Sequence, residues 1–238
     1  TVETLKNKIE VATILGTIQA TLTNFGYLRK RWKDNTEEER LLGVSLTGIM
    51  DNSLLSRMRT QLPDVLGKMR HKAVITNEEW AKKLGIPQST AITCVKPSGT
   101  VSQLVDSASG IHARHNPYYI RTVRGDKKDP LTEFMKDQGI PCEDDVMNPH
   151  NAVFSFPMKA DSNAVFRDDM TAIEQLEIWK CYAEHWCEHK PSVTISVKEH
   201  EWINVGNWCW DNFDALSGIS FLPFSDHTYQ QAPYQDID

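Results

Sequence analysis

The residues best placed to do chemistry lie between Ser89 and Gly110, read STAITCVKPSGTVSQLVDSASG. In the middle of this stretch Lys96-Pro97-Ser98-Gly99-Thr100 breaks a β-favouring run. Pro97 cannot continue a strand ladder, and Gly99 permits close backbone approach. Ser98 or Thr100 can cap the short helix that Val101, Ser102, Gln103 and Leu104 would begin. A strand that feeds a helix start presents unpaired backbone N–H groups and the positive end of the helix dipole, which together suit an anion. The spacing does not say which anion. An ordinary strand-to-helix turn with a serine cap accounts for the same residues.

Three further clusters could carry chemistry. Cys181, His185 and His189 recur at four-residue spacing with Cys187 nearby, a pattern that could ligate metal. Ligands of one ion rarely extend over two helical turns, however, and the apolar neighbours favour a packed helix. Asn207, Cys209 and Asp211 alternate, so on a strand they would point one way and could support radical or nucleophilic chemistry at sulfur. On a helix they fan apart, and Val205, Trp208, Trp210 and Phe213 favour a helix with Cys209 as a packing residue. Finally His112, Arg114, His115, Tyr118, Tyr119, Arg121 and Arg124 gather cations and aromatics that could line a nucleotide pocket. A surface charge strip reads equally well, because alternate strand residues face opposite sides.

The elements that must position these groups follow from periodicity and punctuation. Ser89 to Val95 is β-favouring on both faces, as in a strand covered on both sides. An amphipathic helix is expected over Val2 to about Leu28, with the basic cluster Arg29 to Lys33 as its solvated end. Arg40 to Met50 reads as a buried strand leading into a short helix. Leu62 to Leu84 reads as a helix with Pro63 in its first turn and Gly85 past its end. Strands are expected at Tyr118 to Val123, at Ala152 to Phe156 ended by Pro157, at Val193 to Val197 and at Gly218 to Leu222. Helices are expected from Pro130 to about Asp137, Thr171 to His189 and Glu199 to Phe213. The residues after Pro223 have no period and should pack along the surface. Strands alternating with helical crossovers indicate an α/β sheet or barrel.

Composition bounds the rest. The 238 residues are 40% hydrophobic, enough for a substantial core in one large domain or two small ones. A formal charge of -6 predicts no direct nucleic-acid binding and no attraction to anionic membrane. No apolar run approaches a membrane span and no secretory signal is legible, so a cytoplasmic location is expected. Five cysteines without paired spacing fit reduced thiols. The first residue is Thr1, so the chain is expected to begin at a processed end or inside a longer protein.

Taken together, Lys96-Pro97-Ser98-Gly99-Thr100-Val101-Ser102-Gln103-Leu104, Ser109-Gly110-Ile111-His112 and Tyr119-Ile120-Arg121-Thr122-Val123-Arg124 resemble the catalytic subunit of ribonucleotide reductases. Ser220 to Phe224 and Gln230 to Pro233 extend the likeness, and Asn151 to Phe156 and Ser192 to Val197 fit it. The likeness is strongest to the adenosylcobalamin-dependent ribonucleoside-triphosphate reductases.

The resemblance implies that residues 1–238 form the C-terminal half of a ten-stranded α/β barrel. It implies that Ser98, Gly99, Thr100, Val101 and Ser102 bind the substrate's phosphates. Iron-dependent relatives carry two adjacent tyrosines where Phe221 and Leu222 stand, and anaerobic relatives end in a glycyl-radical loop with no counterpart here. The cobalamin subclass remains. The family's radical cysteine lies on a finger loop upstream of this region, so no catalytic residue is expected in this chain, and Asn207 to Asp211 only mimics that loop. The implied partners are an N-terminal half that shares the adenosylcobalamin site, a ribonucleoside triphosphate, and a dithiol reductant such as thioredoxin. The rival readings are a fragment of an iron-dependent large subunit and a non-catalytic nucleotide-binding module.

Overall fold

The structure is a computed structural model that describes residues 1–224 and 229–237. The first half of the chain runs α1 (Val2–Gln19), α2 (Lys30–Glu39), β1 (Val44–Ser45), α3 (Leu62–Leu84), β2 (Thr93–Cys94), α4 (Val101–Leu104) and β3 (Tyr118–Asp126). The second half runs α5 (Pro130–Asp137), β4 (Cys142–Asp144), β5 (Asn151–Lys159), α6 (Ala172–His185), β6 (Val193–Val197), α7 (Trp202–Asp211), β7 (Ile219–Pro223) and β8 (Tyr234–Asp236). No described helix is long and apolar enough to cross a membrane.

Two parallel strand pairs form the α/β part. β1 lies beside β2, with α3 as the crossover, and β6 lies beside β7, with α7 as the crossover. Parallel neighbours require such a crossover, because a tight hairpin cannot reverse the chain twice. Backbone bonds extend the first pair beyond its assigned residues, from Leu42 N–H to Ala91 C=O at 3.0 Å to Leu46 N–H to Cys94 C=O at 3.3 Å. Ser192 N–H donates to Val95 C=O at 2.9 Å and links the two pairs. Among the described residues β1 pairs only with β2 and β7 only with β6, so both outer edges carry unpaired backbone.

The helices anchor these strands through a core that includes the fully buried Trp179, Tyr182 and Trp186. Each of these rings buries its polar atom against a carbonyl: Trp179 Nε1 donates to Pro191 at 3.0 Å, Tyr182 OH to Leu55 at 3.0 Å and Trp186 Nε1 to Cys94 at 2.8 Å. Asn77, 1% exposed on α3, donates to Thr17 Oγ1 on α1 and to Ser89 Oγ at 3.0 Å each, and accepts from Ser89 N–H at 2.9 Å. One amide thereby fixes α1, α3 and the entry to β2.

The second layer is a four-stranded antiparallel sheet in the order β4-β5-β3-β8, which the sequence reading did not separate from the parallel strands. β3 and β5 pair over nine residues, from Tyr118 opposite Lys159 to Asp126 opposite Asn151. β5 runs past Pro157, where the sequence suggested a stop. β4 covers only Ala152 to Phe154 of β5, so on that side no partner requires the N–H that Pro157 lacks.

Three other boundaries differ from expectation. α1 ends at Gln19 rather than near Leu28, and the cluster at Arg29 to Lys33 opens a separate helix, α2. Arg40 returns from the end of α2 to donate to Ala20 C=O at 2.6 Å, and Thr23 Oγ1 donates to Glu37 at 2.7 Å, closing a helical hairpin. α6 stops at His185 because Trp186 turns into the core and Glu188 and His189 donate their N–H groups to Thr93 C=O at 3.0 Å each. The tail contributes β8, which pairs with Tyr119 to Arg121.

Candidate functional site

After β2 the chain leaves the sheet at Lys96, turns through Pro97 to Thr100 and enters α4. Ser98 and Ser102 hold this turn together. Ser98 Oγ accepts the Ser102 N–H at 2.9 Å, and the Ser102 hydroxyl donates back to the Ser98 carbonyl. The Ser98 N–H itself donates to Ser109 Oγ at 2.9 Å. Thr100 precedes the helix but makes no side-chain cap, so of the two caps the sequence allowed, Ser98 supplies the bond.

The three residues between the serines behave differently. Gly99, Thr100 and Val101 are exposed, and no described residue accepts a hydrogen bond from their N–H groups. A Cβ built on Gly99 would meet nothing within 4 Å. Of the five residues singled out in the turn, then, Gly99, Thr100 and Val101 offer free donors to solvent. Ser98 and the buried Ser102 fix the frame.

The cation and aromatic cluster that follows is split by the fold. His112, Arg114, His115 and Tyr119 line one cavity with Gln103 and Tyr234, next to the turn. Arg114 is 5% exposed and fully engaged: Nε and one terminal nitrogen bind the two Asp51 oxygens at 2.9 and 3.0 Å, and the other binds Tyr119 OH at 3.1 Å. It is a structural hub. His115 Nε2 lies 2.7 Å from Asp236 Oδ1 and its ring stacks on Tyr234. Arg121 packs over Tyr234 at 4.5 Å, whereas Arg124 pairs with Asp145 at 3.1 Å and Tyr118 is exposed beside Lys159.

His112 sits between that cavity and a second one lined by Met50, Met170, Gln175 and Thr194. Its Nε2 accepts the Thr194 N–H at 3.0 Å, so Nδ1 carries the proton and donates to Ser109 C=O at 3.1 Å. Burial holds its pKa below the usual 6.5, with the Ser109 bond opposing. Below pH 6.5 the unfolded chain therefore takes up a proton before the folded one does. The stabilisation is complete above 6.5 and is lost as pH falls through the folded value. His115 shifts the same way, through burial and then Arg167, so both rings contribute to the slope. Thermal melts between about pH 7.5 and about pH 5 should show a falling midpoint, and His112→Gln should reduce that fall. An unchanged slope would contradict this role for His112.

The remaining clusters come apart. α7 is a helix, so Asn207 and Asp211 are exposed and fan away from the half-buried Cys209. His189 Nε2 bonds Leu42 C=O at 2.7 Å, outside the helix that carries Cys181 and His185. Burial pushes the thiols of Cys181 up to about 11 and of Cys187 up to about 12, which keeps them protonated near neutrality. Among the described residues no three His, Cys, Asp or Glu side chains are grouped to hold a metal. Sequence reasoning gave no role to Asp51, Ser109 or Tyr234. The partners of Asp51 and Tyr234 lie far away in the chain and leave no local signal, and Ser109, which belongs to one of the motifs quoted above, meets Ser98 only across the turn.

The chain superposes on the crystal structure of a B12-dependent (class II) ribonucleotide reductase with a TM-score of 0.83 and 22% identity, covering 98% of this chain and 36% of that one. Its fold is part of the class II reductase fold. Sequence comparison finds 31% identity over 216 residues to the adenosylcobalamin-dependent ribonucleoside-triphosphate reductase of Euglena gracilis, covering 87% of this chain and 29% of that protein. The probable reductase of Dictyostelium discoideum is 30% identical over 218 residues, covering 87% and 28%. The Lactobacillus leichmannii reductase is 26% identical over 230 residues, covering 85% and 31%. This chain therefore spans less than a third of the length of these three sequence relatives. No family model matches it.

Proposed function

We propose that this chain is the C-terminal barrel segment of an adenosylcobalamin-dependent ribonucleotide reductase, and that it binds the substrate triphosphate on the amides of Gly99, Thr100 and Val101. The observation that carries the reading is the run of three exposed, unpartnered N–H groups, framed by Ser98 and Ser102, inside a fold of the class II reductase type. Donors aimed at one anion need no reorganisation on binding, and bonds to charged acceptors are about twice as strong as neutral ones. The exposed Lys96 at the foot of the turn adds positive charge.

Bound adenosylcobalamin would supply the homolysis that generates a cysteine radical. This chain's part is to hold the nucleotide and wall the pocket. At the position of the tyrosine relay of iron-dependent relatives, β7 carries Phe221 and Leu222, which have no phenol to oxidise. The buried Cys94, Cys181 and Cys187 have raised thiol pKa values and pack in the core, which suits a radical cysteine supplied from elsewhere.

The complementary N-terminal segment would cover the open edges of β1 and β7. It would also cover the exposed apolar residues of α1, such as Val11, Leu15 and Ile18. A dithiol such as thioredoxin would regenerate the assembled enzyme in the cytoplasm, where its deoxynucleotides would serve DNA replication.

The test is reconstitution. The chain is combined with the complementary segment, adenosylcobalamin, a ribonucleoside triphosphate and a dithiol, and deoxynucleotide is measured. Product should require both segments and the cobalamin. Activity that instead requires a ferritin-like partner and no cobalamin would favour the iron-dependent reading. Tight triphosphate binding without product from any combination would favour a binding module.

A further inference from the structure

Ser98 and Ser102 close the phosphate turn, and the segment from Ser107 to Gly110 supports it from beneath. Two hydrogen bonds reach up to its two ends. Ser109 Oγ accepts the Ser98 N–H at 2.9 Å, and Ser107 N–H donates to Ser102 C=O at 2.8 Å. Gly110 lies so close under the turn that a Cβ there would stand 2.8 Å from the Lys96 carbonyl oxygen, and its φ of +55° suits glycine.

The supporting segment is pinned in turn by the exit of β1. Thr47 Oγ1 donates to Ala108 C=O and accepts the Gly110 N–H, both at 3.0 Å. Gly48 N–H donates to Ala108 C=O at 2.7 Å, and Asp51 Oδ2 accepts the Ala108 N–H at 2.7 Å. The result is three tiers, with residues 47–51 below, 107–110 in the middle and 98–102 on top.

We infer that Ser109 is a positioning residue for triphosphate binding: its hydroxyl oxygen fixes Ser98 and so aims the free N–H groups of Gly99 to Val101 at one point. This rests on the proposed phosphate role of the turn. Ser98 is the last residue before the free donors, and its N–H has Ser109 as its acceptor. Without that acceptor the N–H must seek another partner, and the first donors of the array swing with it. Because the Ser109 hydroxyl acts on the turn through Ser98, its removal should weaken ground-state binding of the triphosphate more than it slows the chemical step.

The experiment uses the reconstituted reductase with Ser109→Ala, Ser109→Thr and Gly99→Val. It measures KM and kcat for a ribonucleoside triphosphate, and the inhibition constant of inorganic tripolyphosphate as a probe of the anion site. Ser109→Ala should raise KM and the tripolyphosphate constant together by about 3- to 10-fold, the range of one neutral hydrogen bond. The change in kcat should be smaller. Ser109→Thr, which keeps the hydroxyl, should restore both constants. If Gly99→Val raises both constants while Ser109→Ala leaves them unchanged, the positioning role is overturned and the phosphate reading stands. If Ser109→Ala raises them and Ser109→Thr does not restore them, the hydroxyl is not the cause and the role is again overturned. If Gly99→Val leaves them unchanged too, the phosphate reading fails and takes this inference with it.

Discussion

Replacing Arg114 with methionine should lower the unfolding free energy by about 3–5 kcal/mol, the usual cost of removing one partner of a buried ion pair. The size follows from burial. The Arg114 side chain is 5% exposed and that of Asp51 14%, so removing the guanidinium strands a carboxylate with little access to water. The second carboxylate, Asp106, is 60% exposed on its side chain and adds little. Asp51 also accepts the Ala108 N–H, which keeps the charge fixed in place rather than free to turn outward. Urea unfolding followed by tryptophan fluorescence would measure the loss. The double variant Asp51→Asn with Arg114→Met should recover part of it, because no unpaired charge then remains. A single variant as stable as the parent would remove Arg114 from its place at the centre of the loop network.

The largest functional effect should come from Gly99→Val. A Cβ at Gly99 meets open space, so the substitution should change stability by no more than about 0.5 kcal/mol. Its branched side chain would occupy the volume in front of the free donors. Each charge-assisted bond is worth roughly 1.5–3 kcal/mol, and loss of two would raise the KM for ribonucleoside triphosphate at least about 100-fold. Steady-state kinetics of the reconstituted enzyme, with a melting curve alongside, separates this from misfolding. An unchanged KM would move the phosphates elsewhere.

What the sequence made legible was whatever is encoded within a few residues. α3 begins with Pro63 and ends at Gly85, whose φ of +68° closes the helix, so both ends carry local punctuation. α5 has Asp129 as its N-cap, whose carboxylate accepts the Leu131 N–H, with Pro130 at its start. β6 alternates buried and half-buried residues as its pattern required.

What escaped depends on distant partners. The early end of α1 is fixed by Arg40, twenty residues on, and the stop of α6 by bonds to Thr93 on another strand. The β3–β5 pairing and the addition of β8 are likewise choices among strands that periodicity cannot rank. At the site the same division holds. The Lys96 to Thr100 turn was readable as a helix start, and the engagement of the Ser98 N–H was not, because it depends on Ser109. The cluster from His112 to Arg124 suggested a pocket, but Arg114 and Arg124 are neutralised by Asp51 and Asp145, whose proximity no spacing rule encodes.

The most direct test of the account is a crystal structure of the assembled reductase with a ribonucleoside triphosphate bound. The expected result is triphosphate oxygens about 2.7–3.2 Å from the backbone nitrogens of Gly99, Thr100 and Val101, with Ser98 still bonded to Ser109. Triphosphate bound away from this turn, with those three nitrogens paired to protein carbonyls, would contradict it.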